Sequence, residues 1–227
     1  MPPPKLALFD LDHTLLSGDS DQLWCEFLIA RGELGVGFRL RNAELSRRYA
    51  EGSVGPAEFS TFYAGTLAGR SPQAWQALRQ AFARCELRPR LPPATHELLA
   101  RHRAAGDRLL LTSATNRFLV EPSAALMGFS ADELLATELE VGADGAFTGA
   151  TRGTPNMREG KVTRLREWLL AQDLAPEAAL SGATFYSDSI NDLPLLEAVG
   201  CPVAVDPDPL LARAAAARGW PVLRLQR

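Results

Sequence analysis

Asp10-Leu11-Asp12-His13-Thr14 sets two carboxylates two residues apart at the end of a short apolar run, Leu6-Ala7-Leu8-Phe9. On an extended chain, side chains at that spacing share a face, so both acids can look into one pocket. Ser187-Asp188-Ser189-Ile190-Asn191-Asp192 supplies a second pair of carboxylates in a tight turn. Thr112-Ser113-Ala114-Thr115-Asn116 offers hydroxyls and backbone N–H groups at a helix start, the kind of place that holds a phosphate. Lys161 stands just before an amphipathic helix. Each of these alone reads as a helix cap, a turn or a solvated lysine. Together they read differently, because Asp10, Asp12, Asp188 and Asp192 gathered at one place would repel. Two unit charges about 4 Å apart cost about 4 kcal/mol at an effective dielectric near ~20. Such a cluster needs a cation. Oxygen donors without His or Cys point to Mg²⁺, which keeps several waters and takes one or two carboxylates plus a substrate phosphate.

Side chains so far apart meet only if strand ends bring them together. Leu6 to Phe9 is a continuous apolar run cut off by acids, as in a strand buried on both faces of a parallel sheet. Arg108 to Thr112, Ala183 to Tyr186 and Pro202 to Val205 repeat that pattern. Helical patterns lie between them, over Pro92 to Ala105, Phe118 to Met127, Val162 to Leu170 and Leu193 to Val199, and Leu210 to Arg218 reads as a further helix. The alternation predicts an α/β fold with a doubly wound, Rossmann-like parallel sheet, whose ligands bind beyond the carboxyl ends of the strands. Between Leu16 and Glu86 only helical segments occur, over Gln22 to Ala30, Gly37 to Ala50, Pro56 to Leu67 and Pro72 to Ala83. The expected organisation is a core of residues 1–16 and 87–227 with a helical cap at 17–86. Thr137 to Val141 and Ala146 to Thr148 flank Asp144-Gly145, a hairpin signal.

Bulk properties exclude some classes. An apolar fraction of 46% with 22% charged residues describes a folded chain rather than a disordered one. A net charge of −3 gives no basic surface for nucleic acid or anionic lipid. No stretch approaches the roughly 18 apolar residues of a membrane span. Cys25, Cys85 and Cys201 are scattered and lack metal-type spacing, as ordinary thiols of a reducing compartment do. A cytoplasmic monomer or homodimer is expected.

In order and in strand context, the Asp10 segment, the Ser113 segment, Lys161 and the Asp188 segment resemble the four motifs of the haloacid dehalogenase superfamily of phosphatases. The resemblance spans nearly the whole chain. It is closest to subfamily IB, the branch of phosphoserine phosphatases and haloacid dehalogenase-type histidinol-phosphatases. In that light the helical stretch corresponds to a type 1 cap and the Asp-Gly hairpin to a small flap. The resemblance implies that Asp10 is the nucleophile that forms an aspartyl-phosphate and that Asp12 is the general acid, then the base. Asp10, the Asp12 carbonyl and Asp188 would hold Mg²⁺. Ser113, Lys161 and Asn191 would bind the phosphoryl oxygens, with Thr14 and Asp192 as supports.

The substrate implied is a small phosphorylated metabolite. Asp19 and Asp21 stand where this branch places an acid for the substrate amine, and a helix cap is the other reading. The branch also carries a cap arginine for the substrate carboxylate. Ungapped counting from Glu51-Gly52 reaches Tyr63 instead, with Arg47, Arg48 and Arg70 nearby. An amine-binding acid without the carboxylate clamp suits a phosphorylated amino alcohol such as histidinol phosphate; phosphoserine, or transfer to a second alcohol, are the alternatives. A phosphoacceptor signalling domain also gathers acids and a lysine at strand ends, but lacks the paired acids on the first strand and the cap. His13 is expected to pack or hydrogen-bond, and His96 and His102 to be solvated on an outer helix. Trp24, Phe27, Phe59, Phe62 and Trp75 read as cap core, with one of them able to line the pocket.

Overall fold

The computed structural model describes residues 5–50 and 53–225, so the Glu51-Gly52 pair lies outside it. The first strand, β1 (Leu6–Phe9), is buried throughout. It leads into α1 (Ser20–Ala30), α2 (Phe38–Ala50), α3 (Pro56–Ala64) and α4 (Pro72–Phe82). No strand interrupts these helices among the described residues. A π turn at Ala83–Leu87 and a 3-10 turn at Arg88–Arg90 carry the chain back, so helical structure runs past the expected boundary at residue 86. The outgoing and returning segments are joined by Ser17 N–H donating to the Arg90 carbonyl at 2.8 Å.

Next come α5 (Pro93–Ala104), β2 (Arg108–Asn116), α6 (Arg117–Leu126), β3 (Leu134–Val141) and β4 (Phe147–Arg152). The chain then runs through α7 (Glu159–Ala171), α8 (Pro176–Ser181), β5 (Thr184–Ser187), α9 (Leu193–Ala198), β6 (Cys201–Val205), α10 (Pro209–Arg218) and β7 (Val222–Leu223). The sheet has seven strands in the order β4-β3-β2-β1-β5-β6-β7. All neighbours are parallel except β3 and β4. After β1 the chain builds outward on one side through β2 and β3, then crosses back to place β5 on the other. The carboxyl end of β1 is therefore the switch point of the sheet, where doubly wound folds bind ligands.

Alternation along β1 splits the interior into two cores. Ala7 and Phe9 pack with Leu98, Leu99 and Phe118 of α5 and α6. Leu6 and Leu8 pack with Leu165, Leu195 and Leu211 of α7, α9 and α10. A third cluster, holding Cys25, Phe38, Leu45 and Tyr63, belongs to the cap helices.

Two expectations need correction. Ser113 does not stand at a helix start: β2 continues through it, pairing Asn116 with Thr137, and α6 begins only at Arg117 with Asn116 as its N-cap. The polar run of Thr112 to Asn116 looks like a loop by composition, yet the ladder to β3 holds it extended. His102 is not solvated. Its helix lies on the sheet, Nδ1 pairs with Asp107 at 2.7 Å, and Nε2 meets the Tyr186 hydroxyl at 2.9 Å. His96 is exposed as expected.

The hairpin signal is realised as β3 and β4, closed by Gly145 at φ 79. Phe147 of β4 also pairs with the cap: Gly69 N–H donates to its carbonyl at 2.9 Å, and its own N–H donates to the Arg70 carbonyl at 3.0 Å. At Gly149, φ 87, a Cβ would sit 3.0 Å from the Ala68 Cβ, so only glycine permits this approach.

Candidate active site

Asp10 follows β1 directly, and its N–H extends the parallel ladder by donating to the Tyr186 carbonyl at 2.9 Å. Its side chain is thereby fixed at the switch point. From the first turn of α7, the Lys161 ammonium donates to Asp10 Oδ1 and to Asp192 Oδ2, both at 2.7 Å. Lys161 is only 1% exposed, so an expected phosphate ligand is seated as a buried charge between two carboxylates. Burial pulls this ammonium down, but Asp10 and Asp192 more than offset it and hold it above its usual value. Ser187 Oγ also donates to Asp192 Oδ2 at 2.7 Å, orienting that acid.

Asp12 is gripped on both oxygens. Ser20 N–H, at the start of α1, donates to Oδ1 at 2.7 Å, and Thr115 Oγ donates to Oδ2 at 2.9 Å. Ser113 Oγ is 3.5 Å from the same Oδ2 and accepts from Thr115 N–H. Thr115 Oγ lies 3.0 Å from Asp21 Oδ2 as well. One hydroxyl has one hydrogen and cannot satisfy two ionised carboxylates together. Asp21 is 4% exposed and its other oxygen is buried without a partner. Burial, then Asp19 and Asp12, push the Asp21 carboxyl well above its ordinary value.

Thr14 joins the two acidic segments, donating to Asp188 Oδ1 at 3.1 Å and accepting from Asp188 N–H at 3.0 Å. Asp208 supports the same turn by accepting from Ile190 N–H at 2.7 Å. Burial pushes Asp10 up to about 7, with Asp192 and Asp12 adding to it against the pull of Lys161. Burial, then Asp10 and Asp192, push Asp188 up to about 8, and burial with Asp19 pushes Asp12 up to about 6. Carboxyls this reluctant to ionise beside one another are a donor set suited to a divalent cation. Among the described residues no three acidic, His or Cys side chains converge as an all-protein metal cage. Mg²⁺ needs no such cage, since it retains water and completes its shell with substrate oxygen, and the Asp10 and Asp188 carboxyls that share the cleft are donors of the kind it takes.

These acids border a cleft of about 190 Å³ together with Lys161, Thr115 and Asn191. A recess of about 470 Å³ beside α5 and β7 is larger but lies away from the Asp10 cluster. His13 borders the cleft from a left-handed turn at φ 58. Asp19, half-buried on the rim, caps α1 by accepting from Gln22 N–H at 2.9 Å. Ser113 is fully buried behind Ala114 and Thr115, which face the cleft in its place.

Tyr63 does not border the cleft. It is 3% exposed in the cap core, and its hydroxyl bonds Asn42 Oδ1 at 2.7 Å. Arg47, Arg48 and Arg70 pair with Glu44, Glu58 and Glu33 on the cap surface. Trp24, Phe27 and Trp75 form an aromatic cluster with Phe82, and Phe62 packs on Phe38. Phe59 alone of the five expected core aromatics borders the cleft, with its ring 4.4 Å from that of Tyr49.

Sequence reasoning missed Tyr49, Asn156 and Arg158, and passed over Thr115. Asn156 is fully buried and donates to Thr112 Oγ and the Ser113 carbonyl, both at 2.9 Å, and to the Leu135 carbonyl at 3.1 Å. It thereby pins the loop before Lys161 to the ends of β2 and β3. A buried Asn in an ordinary turn carries no sequence signal of that role.

A carboxylate at the switch point, a buried lysine bridging it to a second acid and a gripped third acid beneath a layer of helices are the arrangement of a phosphatase on a doubly wound sheet. The chain belongs to the haloacid dehalogenase-like hydrolase family, whose model matches residues 7–197. It is 39% identical over 224 residues to a histidinol-phosphatase of Neisseria meningitidis serogroup C, covering 98% of this chain and 99% of that protein. A crystal structure of a protein of unknown function from Bordetella pertussis Tohama I superposes with a TM-score of 0.90 at 43% identity, covering 98% and 99% of the two chains. A substrate-bound phosphoserine phosphatase shares the fold, with a TM-score of 0.69 at 15% identity over 100% of this chain and 95% of that one.

Proposed function

We propose that this chain hydrolyses a small phosphorylated amino alcohol, histidinol phosphate first among them, through an aspartyl-phosphate on Asp10. The observation that carries the chemistry is the Asp10–Lys161–Asp192 bridge beside Asp12. Lys161 orients Asp10 and offsets its charge, leaving one carboxylate oxygen to attack phosphorus. The P–O bond to the substrate breaks as that bond forms, and Asp12 gives its proton to the departing alkoxide. Asp12 then takes a proton from water, the water oxygen attacks the phosphoryl group, and inorganic phosphate leaves as Asp10 regains its carboxylate. Mg²⁺, held by Asp10, the Asp12 carbonyl and Asp188, would offset phosphate charge and fix the in-line geometry.

The substrate reading is supported by the cleft walls and by full-length similarity to the Neisseria protein. Asp19 and Asp21 supply carboxyl oxygens for an amine, and Tyr49 and Phe59 supply flat apolar surface for an imidazole. The cap arginines nearest the expected clamp position point their charge at surface glutamates instead. No described helix is long and apolar enough to cross a membrane, and Cys25, Cys85 and Cys201 are unpaired, which supports a cytoplasmic setting. The test is kcat/KM for histidinol phosphate against phosphoserine at fixed Mg²⁺. A preference for histidinol phosphate is expected, and a preference for phosphoserine would reject the assignment.

A further inference from the structure

Arg158 takes φ 51 and ψ −125, well outside the small left-handed basin that L residues can occupy. Sparsely populated torsions persist where surrounding contacts over-determine them, and they concentrate at clamps and functional sites. Two contacts from opposite sides of the cleft meet this side chain. From the core, Asn191 Oδ1 accepts from Arg158 Nε at 3.2 Å, one residue before Asp192. From the cap, the last turn of α2 lays the Tyr49 ring 5.2 Å from the guanidinium carbon. Tyr49 in turn packs on Phe59, and both rings border the cleft. The Arg158 carbonyl accepts from Lys161 N–H at 3.1 Å, so the same residue also opens the helix that carries the buried lysine.

We propose that Arg158 is a specificity-determining positioning residue, docking the aromatic wall of the cap onto the Asn191 turn so that the cleft accepts a phosphate ester with a flat ring. The inference rests on the reading of this cleft as the phosphatase site. A planar guanidinium can stack on a ring face while donating sideways to an amide oxygen; a lysine ammonium cannot do both. The strained backbone is what aims the side chain across the cleft rather than along α7. Without the contact, Tyr49 loses its anchor on the core and Phe59 loses a fixed neighbour for its ring, while Asp10, Asp12 and Lys161 keep their own bonds.

The test compares histidinol phosphate with phosphoethanolamine, which keeps the amine and the phosphate but has no ring. Arg158→Ala is expected to raise KM for histidinol phosphate about tenfold, the scale of one partly desolvated cation–π contact. The kcat for that substrate, and both constants for phosphoethanolamine, should stay within about twofold. Tyr49→Leu should raise KM for histidinol phosphate at least as far, and the double variant should be no worse than Tyr49→Leu alone, because Arg158 acts through that ring. Arg158→Lys should recover only part of the effect. Arg158→Gly should lose the same discrimination while raising Tm, since glycine relieves the torsional strain.

A readout independent of turnover is the distance distribution between spin labels at Cys201 and at Leu40→Cys in a Cys85→Ser background. Cys201 and Cys85 are exposed and Leu40 is 78% exposed, so labelling should not disturb packing. Arg158→Ala should broaden that distribution. Equal losses on both substrates with an unchanged distribution would overturn the proposal, as would additive effects of the two single variants. If the wild-type chain fails to hydrolyse either ester, the phosphatase reading falls, and the spin-label result alone decides whether Arg158 docks the cap.

Discussion

Ser20 and Thr115 occupy both oxygens of Asp12, so this carboxyl is held ready at a fixed angle rather than free to rotate. Asp12→Asn should keep that hold on one side and lose the proton, lowering kcat by about 10²–10⁴ with little change in KM, read by steady-state kinetics. Lys161→Met should leave Asp10 and Asp192 buried without their partner, and urea unfolding should show a loss of about 3–5 kcal/mol. That loss should grow with pH. A carboxyl whose folded pKa is raised costs nothing below its unfolded value near ~3.9, where both states are protonated. Stability falls as pH climbs from there toward the folded value, already about 7 for Asp10 with Lys161 present. The same sign applies to Asp21, whose carboxyl burial holds high, so Asp21→Asn should raise Tm at pH 8 and make little difference near pH 4. The four acids and Lys161 were legible in sequence because their spacing is local and their types are unusual in combination. Tyr63 was misplaced because counting on from Glu51-Gly52 fixes a position but not a helix face, and the face of α3 that carries Tyr63 points into the cap core.

Elements position these residues through backbone fits that composition does not display. Gly160 stands where a Cβ would collide with the Pro155 carbonyl oxygen. Gly160→Ala should therefore displace the first turn of α7 and with it Lys161. Both Tm and kcat should fall together in thermal melts and phosphatase assays, unlike Asp12→Asn, which should spare Tm. The short apolar strands β1, β5 and β6 were legible since each is a mostly apolar run that stops at acids or a polar turn. The far half of β2 was not, since Thr112 to Asn116 is polar, and their extended form comes from pairing with β3. Nor was the parallel half of β3, where Leu134 to Thr137 is too short a run to stand apart from a helix end. The two residues of β7 lack any periodicity, and they extend only because β6 offers an unpaired edge.

At the scale of the molecule, the cap helices meet the core through the Ser17–Arg90 backbone bond, the pairing of Phe147 with Gly69 and Arg70, the Arg79–Glu121 ion pair, Arg158 against Tyr49, and a shared apolar cluster that holds Trp24, Phe27 and Phe82 with Phe9 and Phe118. A hinge at the linker alone would swing freely, whereas this cap must give up polar and apolar contacts along its whole base to open. Gly149→Val should wedge Ala68 away from β4, and hydrogen exchange should rise at Gly69 and Phe147 while the β1–β2 ladder stays protected. The pairing with Phe147 also reaches beyond the reaction. β4 is an outer strand of the sheet, and such strands expose unpaired amides that recruit other chains. By occupying both backbone groups of Phe147, the cap shields this edge from self-association. Opening the cap fully would unmask it, so colloidal stability and cap closure are under the same constraint in this protein.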